Sequence, residues 1–255
     1  MTWYAAAAVG AGLYGLVVGH YVPTLIERIP EPEPEPAGPE HSTDHSTDHS
    51  TEHGAVPVEA EQPKELYVDI ARRRGLRWKS ALATAVVSAL MAARVGWSPA
   101  LPIFLFLAPV GVALAVVDWR TRLLPTKVLK PTYAVVVGLV LLAAWSQHDL
   151  HALIGAGWGW LVAGGTFFVL WFVYPRGMGY GDVRLSGVLG IALGYLGWAE
   201  LLTGVYAGFL LGGVGGLLLS ALRLVDRKAY PFGPFMLVGA VVGVLAGPYV
   251  AAWYA

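Results

Sequence analysis

Apolar residues gather along the chain into eight runs, at 3–22, 80–97, 100–118, 131–147, 151–173, 184–198, 201–222 and 233–254. A helix needs roughly 20 largely apolar residues to cross the hydrocarbon of a bilayer, and each run approaches that length. The pattern predicts an all-α fold, a polytopic membrane helix bundle of about eight transmembrane helices. The sixth run is the weakest, being short and rich in glycine.

One polar insert breaks the series. Residues 27–69 read "EPEPEP", then "HSTDHSTDHSTEH", then "EAEQPKE", a proline-rich, acidic and repetitive stretch with almost nothing to bury. Twelve acids stand there against two bases, Arg28 and Lys64. His41, His45, His49 and His53 recur every fourth residue and would share one face of a helix, a spacing open to a weak metal site. Compositional bias accounts for them without a ligand, so the segment is read as a disordered cytoplasmic spacer and no metal site is assigned. The stretch "ARRRGLRWK" at 71–79 then forms a basic juxtamembrane clamp suited to anionic headgroups. The chain divides into an N-terminal transmembrane helix (1–26), a linker with its basic segment (27–79) and a membrane-embedded bundle (80–255).

Composition sets the solvent. Of 255 residues 56% are hydrophobic and only 13% charged, too apolar for an ordinary soluble domain. Net charge is zero, so no global field argues for nucleic acid. The chain has no cysteine, which excludes disulfides, thiolate chemistry and cysteine-ligated zinc. No basic residue precedes the first apolar run, so that run is expected to be a retained helix rather than a cleaved signal. Sixteen of the 17 Lys and Arg fall in alternate connections, and Arg94 alone lies outside them. The positive-inside rule assigns those connections to the cytoplasm and makes the weak sixth run a span.

That topology sorts the acids. After Asp69 only Asp118, Asp149, Asp182, Glu200 and Asp226 remain. Asp149 and Glu200 fall in short external turns, and Asp226 sits among Arg223, Arg227 and Lys228. Asp118 closes the third run and Asp182 opens the sixth, so both meet the same face at the edge of the hydrocarbon, where ionisation is costly. Each has an ordinary explanation: Asp182 as a helix N-cap, Asp118 as an interfacial acid paired with Arg120, Arg122 or Arg184.

Their surroundings favour chemistry. In "GMGYGD", Gly177, Gly179 and Gly181 alternate just before the acid, freeing the backbone for positive φ and leaving no Cβ in the way of an extended chain. Gly179 and Gly181 are therefore expected to bind substrate. Two carboxylates a few ångströms apart share one proton, so one activates water while the other polarises a carbonyl. Asp118 and Asp182 are the catalytic candidates, and the arrangement calls for no cofactor.

Three stretches, "VDWRTRLLPT" (117–126), "GMGYGDVRLSGVLG" (177–190) and "YPFGPFMLVGA" (230–240), together resemble the type IV prepilin peptidases, membrane aspartic proteases with a Gly-x-Gly-Asp motif. The matches come in family order over roughly 105–250, and "GHYVPTLIERIP" (19–30) is similar to the family's N-terminal entry. The resemblance implies that Asp118 and Asp182 are the catalytic pair at the cytoplasmic face of the cell's inner or plasma membrane. Its implied substrates are prepilins or pseudopilins whose short basic leader precedes a hydrophobic helix; the other partner is the lipid bilayer. In the loop after that entry many longer relatives carry two cysteine pairs in a zinc-binding domain, and some also N-methylate the new terminus. Here the acidic repeat replaces that loop, and no residue offers a methyl-donor site. The rival class is a proton- or cation-coupled transporter using Asp118 and Asp182. Such sites lie near the midplane between inverted repeats, whereas these acids lie at one face and no second half repeats the pattern.

Overall fold

The computed structural model describes residues 2–31, 65–175, 178–222 and 231–254, and all regular structure among them is helical. α1 (Thr2–His20) runs into the short α2 (Val22–Glu27), and α3 (Tyr67–Ala71) leads into α4 (Leu76–Val95). α5 (Leu101–Thr121), α6 (Thr126–Gln147), α7 (Leu150–Gly159), α8 (Gly165–Val173), α9 (Tyr180–Leu196), α10 (Trp198–Ala221) and α11 (Gly233–Tyr254) follow. One π turn, Trp160–Gly164, joins α7 and α8 into a continuous rod.

Helical rods stand at all eight apolar runs, yet among the described residues five are long and apolar enough to cross a membrane by themselves: α5, α6, the α7–α8 rod, α10 and α11. The other three have their own physics. α4 carries Arg77 and Lys79 in its first turn and Arg94 in its last. α1 spends much of its 19 residues on alanine, glycine and tyrosine. α9 has 17 residues, including Asp182 and Arg184, and twelve of them are buried. Its solvent is protein rather than lipid, so its apolarity falls short of what a lipid-facing helix needs.

Close backbone approach explains Gly190 and Gly194 of α9. A Cβ on Gly155 would meet the Gly194 carbonyl oxygen at 2.6 Å, and Gly159 faces Gly190 in the same way. α7 and α9 therefore pack main chain against main chain, as small residues allow in membranes. On the other side α9 meets α6, α10 and α11. Tyr133 of α6 reaches in to donate from its hydroxyl to the Arg184 carbonyl at 2.9 Å.

The ends of the polar insert are folded. Ile26 and Ile29 pack with Tyr67 and Ile70 onto Ala113 and Val117 of α5, and all six are buried. Glu31 accepts from the Val68 N–H at 3.3 Å, and Arg72 donates to Glu27 at the same distance. These contacts clasp the two ends together and press them onto α5 one residue from Asp118. Residues 32–64, with the histidine repeat and the metal spacing it offers, lie outside the described residues. Among the described residues of the insert, the contacts with α5 come from the clasp, so deleting 41–53 should leave expression and melting temperature within error of the parent. A fall of several degrees would show that the repeat itself packs on the bundle.

Candidate active site

Asp118 stands in the last turn of α5, which ends where Arg122 turns left-handed at φ 56° and its N–H closes onto the Asp118 carbonyl at 2.8 Å. The Thr121 hydroxyl donates to the Val117 carbonyl at 2.9 Å and accepts the Leu123 N–H at 3.3 Å, fixing the turn. Pro125 then caps α6 and keeps the chain from continuing one helix into the next. Asp118 is only 3% exposed. Its Oδ2 accepts the Gly233 N–H at 3.0 Å. Gly233 is the first residue of α11, so the bond satisfies one of the N–H groups a helix start leaves orphaned and sets the carboxylate at the positive end of that helix.

Asp182 is arranged alike on α9. The helix begins at Tyr180 with Gly179 as its N-cap, so Asp182 is the third residue inside rather than the cap itself. Its Oδ2 accepts the Gly179 N–H at 3.2 Å, while its own N–H donates to the Gly179 carbonyl at 3.0 Å. Its Oδ1 is buried and has no partner among the described residues. An orphaned buried carboxylate oxygen is costly unless something else fills its place. The Asp118 charge is within electrostatic reach.

Leu124 joins the two halves. A Cβ on Gly181 would meet the Leu124 Cβ at 2.6 Å, and a Cβ on Gly233 would meet the Leu124 Cδ1 at 3.5 Å and the Asp118 Oδ2 at 2.8 Å. One side chain in the α5–α6 turn thus packs against the glycine beside each acid. Gly181 is filled from behind by protein, whereas Gly179 is exposed, and the nearest described atom to a Cβ there is the Asp182 Oδ2 at 3.5 Å. Positive φ is not the reason for either glycine: Gly179 is extended at φ −72°, ψ 144°, and Gly181 is helical. What the site uses is their missing Cβ. Gly177 lies outside the described residues.

The ordinary explanations for the acids resolve differently. Asp118 has no ion pair among the described residues. Arg184 instead donates to the Thr126 hydroxyl and lies 4.6 Å over the Tyr180 ring. Asp149 caps α7 through the Ala152 N–H at 2.9 Å, a structural role. Asp226 falls outside the described residues. Among the described residues, no three His, Cys, Asp or Glu side chains gather as a metal site would require. Gly233 and Leu124 were legible only as parts of motifs, since nothing in "PFGPF" or "RLLPT" says that one backbone N–H and one leucine meet beside the same carboxylate.

Helices alone among the described residues, with two buried carboxylates held by the starts of two of them, define a polytopic membrane protein whose buried acids sit at one end of its bundle. Residues 104–219 match the type IV leader peptidase family. The chain is 33% identical over 138 residues to the Prepilin leader peptidase/N-methyltransferase of Escherichia coli strain K12, covering 52% of this chain and 58% of that protein. It is 31% identical over 177 residues to the protein of the same name from Aeromonas salmonicida strain A449, covering 68% and 59%, and 28% identical over the same length to that of Pseudomonas aeruginosa. The matches thus span less than two thirds of these relatives' length. No solved structure matches.

Proposed function

We propose that the protein is a membrane aspartic endopeptidase that removes the basic leader of type IV prepilins or pseudopilins at the cytoplasmic face of the inner membrane. The observation that carries this reading is the pair Asp118 and Asp182, buried at one end of the bundle within a leader peptidase segment, each with one oxygen tied to a glycine N–H. Those bonds fix the carboxyl planes before substrate arrives, which is the preorganisation that catalysis requires. With two buried carboxyls sharing a proton, the ionised one draws a proton from water as that water attacks the scissile carbonyl, and the protonated one hydrogen-bonds the carbonyl oxygen. The unpartnered Asp182 Oδ1 is the atom free to hold that water. The exposed Gly179 offers an extended peptide a flank without a side chain.

Charge supports the orientation. Arg72, Arg73, Arg74, Arg77 and Lys79 lie before or in the first turn of α4, and Arg120 and Arg122 stand at the end of α5, all at the end of the bundle that holds the acids. Arg94 alone among these helices marks the other end. The proposal takes only the peptidase half of the relatives' name. The transporter reading has no comparable support, because the acids stand at one end in a leader peptidase domain. Co-expression with a prepilin should give a faster-migrating pilin, and purified enzyme should keep cutting in the presence of a metal chelator, since carboxylates and water suffice for this chemistry. No mobility shift with any co-expressed prepilin or pseudopilin would remove the reading; chelator loss reversed by a divalent ion would replace the mechanism.

A further inference from the structure

An apolar cavity of about 210 Å³ lies between α4, α5, α9 and α11. Met91, Ala108, Gly111, Ala115, Leu193 and Val241 line it, and among the described residues no charged or hydroxyl-bearing side chain does. Its α5 wall is the stripe that leads to the site. Ala115, Gly111, Ala108 and Phe104 precede Asp118 by three, seven, ten and fourteen residues, the spacing of one helical face. At 1.5 Å per residue the wall runs about 21 Å from the carboxyl into the bundle. At the near end Pro234 adjoins Gly233, whose N–H holds Asp118. At the rim Val238 is 51% exposed, so the cavity opens sideways toward the bilayer.

We infer that this groove seats the apolar stretch of the substrate that adjoins the scissile bond on its membrane side. The inference rests on the peptidase reading and adds to it a second contact region. A lining without hydrogen-bond partners accepts only apolar side chains, because a polar group placed there is left unpaired. Continuity with the carboxyls decides which apolar occupant it takes: whatever is cut at Asp118 and Asp182 and continues into the membrane must pass along this face of α5. The volume holds one or two large side chains rather than a whole helix. The occupant therefore lies across the rim as a helix and presses a ridge of side chains inward, every third or fourth residue.

The test compares two substrates: a full-length prepilin, and a short peptide of its leader and scissile bond that ends before the apolar stretch. Filling the groove with Val238→Trp, or with Ala108→Phe as an independent variant, should lower kcat/KM for the prepilin relative to the peptide at least tenfold. Leu142→Trp, on the lipid-facing side of α6 away from the groove, should leave that ratio at the parental value. Because the chain has no cysteine, a Val238→Cys enzyme made inactive by Asp182→Asn can be paired with prepilins carrying single cysteines along the apolar stretch. Disulfides should form with a period of three to four residues. A ratio unchanged by both filling variants, or no cross-link while the active enzyme still cuts, would overturn the groove and leave the peptidase standing. Cross-links only between enzyme copies would assign the groove to a second copy instead and overturn it too. A parental enzyme that cuts neither substrate removes the peptidase reading, and the groove falls with it.

Discussion

Replacing either Asp118 or Asp182 by asparagine should reduce prepilin cleavage at least about a thousandfold, with membrane insertion and melting temperature close to the parent. Asparagine keeps the volume and can still accept from Gly233 or Gly179, so the helix starts that hold these side chains should survive. What is lost is the shared proton. Without it neither the removal of a proton from water nor its delivery to the peptide can occur at that position. In the proposed mechanism the two acids act as one unit, so the double variant should be no worse than either single one. Cleavage assays on detergent-purified enzyme read this directly. Substantial activity in one single variant would sink the pair.

Gly233→Ala should be the most damaging change outside the carboxyls. The added Cβ would lie 2.8 Å from the Asp118 Oδ2 and 3.5 Å from the Leu124 Cδ1, closer to the acid than carbon and oxygen tolerate. Either the carboxyl turns away or α11 retreats, and both lengthen the 3.0 Å bond. Misplacing a reacting group by about 1 Å can cost on the order of a hundredfold. The loss should fall on kcat with KM little changed, and Gly233→Ala added to Asp118→Asn should lower activity no further, because Gly233 acts through Asp118. A variant that loses KM alone, or that further disables Asp118→Asn, would show that the loop contacts substrate rather than positioning the acid.

Gly233 also marks where reading the sequence stopped. "YPFGPF" was recognisable as a motif, and a glycine at a helix start is an ordinary observation. That its N–H points at a carboxyl 115 residues earlier depends on how α11 docks beside α5. Gly181 teaches the same point from the other side. Its alternation with Gly179 suggested a substrate flank for both, yet packing assigns the space behind Gly181 to Leu124 and leaves Gly179 exposed.

The sequence by itself determined the all-helical class, the order of the eight rods and the two acids set apart from the others, both of which are buried. Each of these follows from local properties: apolar run length, the distribution of basic residues, and the rarity of acids in a chain this apolar. Tertiary structure alone decided that α9 is wrapped by protein, that the ends of the polar insert clasp onto α5, and that Leu124 bridges the two halves of the site. These are contacts between residues tens to more than a hundred positions apart. Their energies depend on complementary shape at close approach, and hydropathy carries no record of shape. A glycine reads the same in sequence whether its missing Cβ admits a neighbouring backbone, as at Gly155, or the edge of a carboxyl, as at Gly233.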